Sequence, residues 1–223
     1  MKQLALGVRL RTAAVFDNFY VGPNSEAVAA VKFSADNPVW IWGASATGKT
    51  HLLQAACAQS GEASAYIPLR QEAAVPPEAI DGFEKLSLLC IDDLESVAGR
   101  IEWEKALFRL FNAAAETHAR LVFAARSAPT AVGCQLADWA SRAASCTVYQ
   151  LRLLDDDARI DALRMRANLR GLELPLETAE YLLRRMPRDQ QVLFDMVDAL
   201  DDAALVAQRR LTVPFVREAL KLG

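Results

Sequence analysis

From Phe16 to about Leu154, short apolar runs alternate with stretches whose apolar residues recur every three or four positions. Val39-Trp40-Ile41-Trp42 predicts a buried strand that stops at Gly43. A helix is expected from near Lys49, through His51-Leu52-Leu53-Gln54-Ala55-Ala56. Ala65-Tyr66-Ile67-Pro68-Leu69 predicts a second strand. Its proline cannot donate to a ladder, so this strand belongs at a sheet edge. Leu86-Ser87-Leu88-Leu89-Cys90-Ile91 predicts a third, apolar on both faces as a parallel strand covered from both sides must be. Trp103, Leu107, Leu110, Phe111 and Ala114 then mark one face of a helix. Leu121–Ala125 and Thr147–Leu151 predict the fourth and fifth strands. Strands alternating with helices imply right-handed crossovers and a three-layer α/β domain on a parallel sheet.

Beyond Leu154 the strand pattern stops. Asp155-Asp156-Asp157 puts acids at a helix N-terminus, where the dipole favours them. That helix is expected to reach Leu169, with Gly171 as its stop. Pro175 opens a second helix through Arg185, a third covers roughly Asp189–Ala203, and a fourth follows Thr212 with Pro214 in its first turn. The expected organisation is a tail over residues 1–15, a nucleotide-binding α/β domain over 16–154 and a small all-helical lid domain over 155–223.

Composition narrows the class. Of 223 residues, 52% are hydrophobic and 24% charged, too apolar for a disordered chain. A net charge of −3 argues against an autonomous nucleic-acid binder, for which a domain of pI above about 9 is expected. The four cysteines form no CxxC pair and sit in apolar contexts, so they read as reduced core thiols. Two histidines leave little for a histidine-based metal site. The four tryptophans read as packing residues. Arg9 and Arg11 interrupt the short apolar run at the N-terminus. No stretch approaches the ~18 apolar residues of a membrane span, so a cytoplasmic protein is expected.

The chemistry concentrates at Gly43-Ala44-Ser45-Ala46-Thr47-Gly48-Lys49-Thr50, a full GxxxxGK[ST] phosphate loop between a predicted strand and a predicted helix. Glycines let the backbone curl so that its N–H groups face phosphate oxygens, and the helix N-terminus adds partial positive charge. Lys49 is placed to reach the β- and γ-phosphates and Thr50 to ligate Mg²⁺. The third strand supplies the partner acids: Asp92 falls near the metal, and Asp93 can orient or deprotonate an attacking water.

These motifs and their flanks resemble the AAA+ family, and within it the DnaA branch. Phe16-Asp17-Asn18-Phe19-Tyr20-Val21-Gly22-Pro23 resembles the box that flanks adenine in that branch, which implies Tyr20 and Val21 as base contacts. Gly48-Lys49-Thr50-His51-Leu52-Leu53 is similar to the branch's GKTHLL and adds His51 to the nucleotide site. Ile91-Asp92-Asp93-Leu94 resembles its Walker B strand, Ala140-Ser141-Arg142 its box VII serine-arginine, and residues 155–222 its lid. Gln3-Leu4-Ala5-Leu6-Gly7-Val8 is similar to peptides that bind the sliding clamp, with Gly7 where proline is usual. It implies Gln3, Leu4 and Leu6 as clamp contacts.

The resemblance therefore implies ADP or ATP with Mg²⁺ as cofactors, and the sliding clamp and the initiator DnaA as partners. DNA would be reached only through the clamp, and self-association is open. The implied function is regulatory: bound to the DNA-loaded clamp, the chain stimulates ATP hydrolysis by DnaA and prevents re-initiation, with Arg142 as the arginine finger. The alternative is an autonomous AAA+ ATPase or helicase loader. Two departures from the branch favour the regulatory reading. The sensor 1 strand reads Phe123-Ala124-Ala125-Arg126, and the sensor 2 arginine is replaced by Gln191, with Arg188 one turn away. Few groups are left to read the γ-phosphate, which implies weak or no ATPase of the chain's own.

Overall fold

Strands that are apolar on both faces need cover on both sides, and that requirement explains the sheet. The computed structural model describes residues 14–34, 37–72, 76–186, 190–207 and 210–220. Among them, five strands form one parallel sheet: β1 (Val39–Trp42), β2 (Ser64–Pro68), β3 (Leu88–Asp92), β4 (Arg120–Ala125) and β5 (Thr147–Gln150), in the order β2-β3-β4-β1-β5. Side chains alternate across it. Trp40, Leu89, Ile91, Leu121, Phe123 and Ala125 pack one way, against Trp103, Leu107, Leu110, Phe111 and Ala114 of α1 (Ile101–Thr117) and Trp139 and Ala143 of α2 (Ala137–Ala144). Val39, Ile41, Leu88, Cys90, Val122 and Ala124 pack the other way. There they meet Leu52, Leu53, Ala56 and Cys57 of α3 (Lys49–Ser60) and Ala27, Ala30 and Val31 of α4 (Ser25–Phe33).

The expected strands are all present, with ends shifted by up to two residues. The third begins at Leu88, because Leu86 closes the preceding turn on Phe83 and Ser87 bonds Ala63. It extends to include Asp92, which pairs in register with Pro68. Strand β2 lies at a sheet edge, as its proline predicts, and Leu69 already opens a short helix, α5 (Leu69–Glu72). Trp40, Trp103 and Trp139 are fully buried in the core, and Trp42 packs against it. Cys57, Cys90 and Cys146 are buried free thiols, and Cys134 is half-buried. Among the described residues no helix is long and apolar enough to cross a membrane.

The chain divides into two compact units, Met1–Arg152 and Leu153–Gly223. The second contains α6 (Asp156–Leu169), α7 (Leu176–Arg185), α8 (Gln190–Ala207) and α9 (Val213–Ala219). Asp155 stands just outside α6 and caps it, its carboxylate accepting from Ala158 N at 2.8 Å. Leu163, Ala167, Leu182, Leu193, Val197, Leu200 and Phe215 form this unit's core. Helix α8 runs to Ala207, four residues past its expected end. Ion pairs fix it to α6: Arg166 grips Asp198 with two hydrogen bonds at 3.1 and 2.8 Å, and Arg170 reaches Asp198 and Asp201.

Candidate nucleotide-binding site

Strand β1 delivers the chain to the phosphate loop. Gly43 N donates to Ala125 O at the end of β4, 3.3 Å away, so the loop starts against the middle of the sheet. A Cβ at Gly43 would run into the Leu151 carbonyl, and one at Gly48 would sit 2.5 Å from Phe19 Cε2. Gly48 also has φ +92°, a backbone that side chains disfavour. Ala46 is held at φ +62° without glycine's freedom, a strain of order 1 kcal/mol typical of ligand clamps. Thr47 Oγ1 bonds Ala44 O at 3.0 Å and braces the curl.

Lys49 and Thr50 open α3 side by side. Lys49 Nζ donates to Gly43 O at 2.7 Å and Ala44 O at 2.8 Å, so the ammonium lies over the loop. Burial lowers its pKa, Asp92, Glu95 and Asp93 pull it back up, and Arg126 adds a smaller downward push. Thr50 Oγ1 donates to Asp92 Oδ2 at 2.6 Å. Tyr66, on the neighbouring strand, donates to the same oxygen at 3.0 Å, and Asp93 N donates to Oδ1 at 2.8 Å. Burial and the Asp92 charge push the Tyr66 phenol far above its ordinary value, so it stays a donor. A hydroxyl beside a buried carboxylate is a hard-oxygen donor set that suits Mg²⁺.

Asp92 is almost wholly buried, and burial raises its pKa against the pull of its hydrogen bonds; the Asp93 charge raises it further. The folded state thus holds this proton more tightly than the unfolded state. That contribution to stability is fully present below the ordinary carboxylate pKa and is lost as pH rises through the raised value. Asp92→Asn should therefore stabilise the nucleotide-free protein at neutral pH and flatten this part of its pH profile. The readout is a thermal melt at pH 7, in which the variant should unfold at the higher temperature. A lower melting temperature at pH 7 would contradict it.

The structure brings most of the expected nucleotide-site residues together. The segment before α4 lies along the loop: Phe19 packs on Gly48, its ring centroid 5.5 Å from that of His51, and His51 Nε2 is 3.0 Å from Val15 O. Tyr20 and Val21 follow directly, half-buried and exposed respectively. Asp93, next to Asp92, has φ +57°, and its carboxylate is paired with Arg70 at 2.8 Å. Arg142 is not brought to this loop. It lies exposed on α2, its guanidinium 5.8 Å from the Phe111 ring centroid on the other face of the sheet. Gln3, Leu4, Leu6 and Arg188 fall outside the described residues, as does the side chain of Gln191.

Some residues at the site carry no motif signal. Tyr66, Arg70 and Glu95 become neighbours of Asp92 and Asp93 only through the β2–β3 register and the turn that follows β3. Just past the Phe16–Pro23 segment, buried Asn24 grips the backbone of Arg152 through both amide atoms, at 2.8 and 3.1 Å.

Comparison with known proteins finds similarity in both units of the chain. Residues 10–66 match the family model of the bacterial DnaA ATPase domain, and residues 156–220 match that of the Hda lid domain. Domain III of the Thermotoga maritima replication initiation protein DnaA superposes with a TM-score of 0.75 at 22% identity, covering 96% of this chain and 98% of that one. AMPPCP-bound DnaA from Aquifex aeolicus gives 0.70 at 22% identity, over 90% of this chain and 70% of that one. The Thermotoga maritima RuvB Holliday junction branch migration motor shares the fold more distantly, with a TM-score of 0.67 at 15% identity over 89% and 67% of the chains. The chain is thus similar to the bacterial DnaA ATPase domain over a segment that contains the phosphate loop and to the Hda lid domain over its helical unit, on an AAA+ fold shared with DnaA.

Proposed function

We propose that the chain holds an adenine nucleotide with Mg²⁺ and acts as a regulator of the replication initiator. Docked on the DNA-loaded sliding clamp through Gln3, Leu4 and Leu6, it presents Arg142 to the ATP bound by DnaA and accelerates its hydrolysis. The observation that carries this reading is an Hda-type lid and a DnaA-type ATPase segment in one chain with a complete phosphate loop. Residues 1–15 serve as the docking tail, 16–154 as the nucleotide-binding domain and 155–223 as the lid.

Each residue has a distinct task. Backbone N–H groups of Gly43, Ala44, Ser45, Ala46, Thr47 and Gly48 face the phosphates, and Lys49 turns its ammonium from its own loop carbonyls to the phosphate oxygens. Thr50 and Asp92 would hold Mg²⁺, which would supply positive charge to offset that of the phosphates. Tyr20, Val21 and His51 flank the base and sugar. Asp93 holds the attacking water. Arg142 supplies its planar guanidinium in trans, where two hydrogen bonds to phosphate oxygens offset charge that spreads in the transition state.

Exposure of Arg142 and its place against Phe111, on the opposite face of the sheet from the helix that Lys49 opens, favour action in trans. Changing Gln3 and Leu4 to alanine tests the docking step. A short clamp peptide binds at about micromolar affinity, near −8 kcal/mol, so the double variant should lose clamp capture in a pull-down while keeping ADP affinity by calorimetry. Clamp capture retained by the variant would show that the tail is not the docking element.

A further inference from the structure

We propose that buried Glu104 is a positioning residue for Arg142: it ties the entry of α2 to α1 and so fixes where the guanidinium is presented; this rests on Arg142 acting on the ATP held by DnaA. Glu104 lies in the first turn of α1 and is wholly buried. An acidic side chain there is costly unless hydrogen bonds satisfy its oxygens. Both oxygens are satisfied. Oε1 accepts from Gly99 N at 2.7 Å and Gln135 N at 3.1 Å, and Oε2 accepts from Gln135 N at 2.9 Å and Leu136 N at 2.6 Å. The donors come from two segments, the loop leading from β3 into α1 and the loop leading from β4 into α2. All are backbone groups, so the contact sets the path of the chain itself.

Leu136 stands just outside α2 and has no side-chain oxygen to cap it. In a capping box, an acid in the third helical position would reach back to the Leu136 N–H. That position is Trp139, which is buried in the core, so Glu104 takes the N–H from the neighbouring helix instead. Farther along α2, Arg142 meets α1 again: its guanidinium lies 5.8 Å from the ring centroid of Phe111, which stands about two turns beyond Glu104. Between these points Trp139 and Ala143 pack into the α1 core. Apolar packing is not directional. The hydrogen bonds at the entry are, and they fix the height and rotation of this eight-residue helix. A guanidinium that must meet phosphate oxygens with two hydrogen bonds is sensitive to such a setting, since a displacement of about 1 Å can cost ~10²-fold in rate.

The test is single-turnover hydrolysis of ATP preloaded on DnaA, with clamp-loaded DNA present, titrated with full-length wild type, Glu104→Asp, Glu104→Gln, Arg142→Ala and the Glu104→Asp/Arg142→Ala double variant. Aspartate keeps the carboxylate but withdraws it by one methylene. Glutamine keeps the length but turns an N–H₂ group towards N–H donors. Each should lower the maximal rate about 10–100-fold. The chain concentration at half-maximal rate, ADP affinity by calorimetry and clamp capture should not change. The double variant should be no slower than Arg142→Ala, because one residue acts through the other. A thiol reagent reads the α2 entry directly through Cys134, since the other three cysteines are buried. Burial, and then the Glu104 charge, push the Cys134 thiol up to about 11. The comparison is therefore made with Glu104→Asp, which keeps the charge and should label several-fold faster than wild type. Should one variant fail to bind ADP, the maximal rate of the other decides. Wild-type maximal rates for the Glu104 variants, with Arg142→Ala slow, would overturn the positioning role and leave the finger standing. Cys134 labelling of Glu104→Asp at the wild-type rate would overturn it, as would loss of ADP binding by both variants, which assigns Glu104 to the fold. Wild-type stimulation by Arg142→Ala would remove the finger and the proposal with it.

Discussion

Arg142→Ala is expected to abolish the stimulation of DnaA's ATP hydrolysis while leaving the chain folded and able to bind nucleotide and clamp. An arginine finger is worth about 10³–10⁵ in rate, because it stabilises charge spread over the phosphoryl oxygens in the transition state. The side chain can be removed without harm to the core: it is exposed on α2, and its described contact is with the edge of the Phe111 cluster. Arg142→Lys should recover little, since a point charge on a flexible stem cannot reproduce two parallel hydrogen bonds. The measurement is single-turnover hydrolysis of ATP preloaded on DnaA, with clamp-loaded DNA present. Wild-type stimulation by the alanine variant would remove the finger from Arg142. Loss of stimulation together with nucleotide binding would assign Arg142 to the fold instead.

Lys49→Ala should remove adenine-nucleotide binding from the chain itself. The ammonium makes two hydrogen bonds to loop carbonyls at 2.7 and 2.8 Å. Turned to phosphate oxygens, charged hydrogen bonds of this kind are worth about 1.5–3 kcal/mol each. Two of them amount to a loss of ~10²–10⁴ in affinity, enough to take ADP binding below calorimetric detection. Because burial disfavours the Lys49 charge, the variant should melt no lower than wild type in the absence of nucleotide. Unchanged ADP affinity would show that the loop is not the phosphate site.

Much of this was legible in the order of residues, for physical reasons that differ from element to element. The interior strands announce themselves because both faces are covered: Leu88–Ile91 alternates between two apolar layers and so reads as one continuous apolar run. Pro68 marks its strand as an edge because it lacks a donor, and the phosphate loop is local chemistry in consecutive residues. Strand ends are less legible. Whether Leu86 or Leu88 begins β3 is decided by hydrogen bonds to Phe83 and Ala63, which the apolar pattern does not contain. Helix α4 is easily overlooked, since its buried positions Ala27, Ala30 and Val31 are small and sparse.

The candidate site divides the same way. Lys49, Thr50, Asp92 and Asp93 follow from motif spacing, but Tyr66, Arg70 and Glu95 are set beside them by strand register and a turn. The departures Ala124 and Ala125 are visible in sequence as the loss of polar groups. That Arg126 instead joins Glu95 at the rim of the loop is visible only in three dimensions. Arg142 illustrates the converse: its motif is legible, while its place away from its own phosphate loop comes from α2 packing on α1.

The most direct test of the regulatory reading follows ATP preloaded on DnaA when wild-type chain, sliding clamp and DNA are added together and with each omitted in turn. The account predicts rapid conversion to ADP only in the complete mixture, with little hydrolysis by the chain alone. Conversion at the same slow rate with and without the chain, or rapid hydrolysis by the chain in the absence of DnaA, would contradict it.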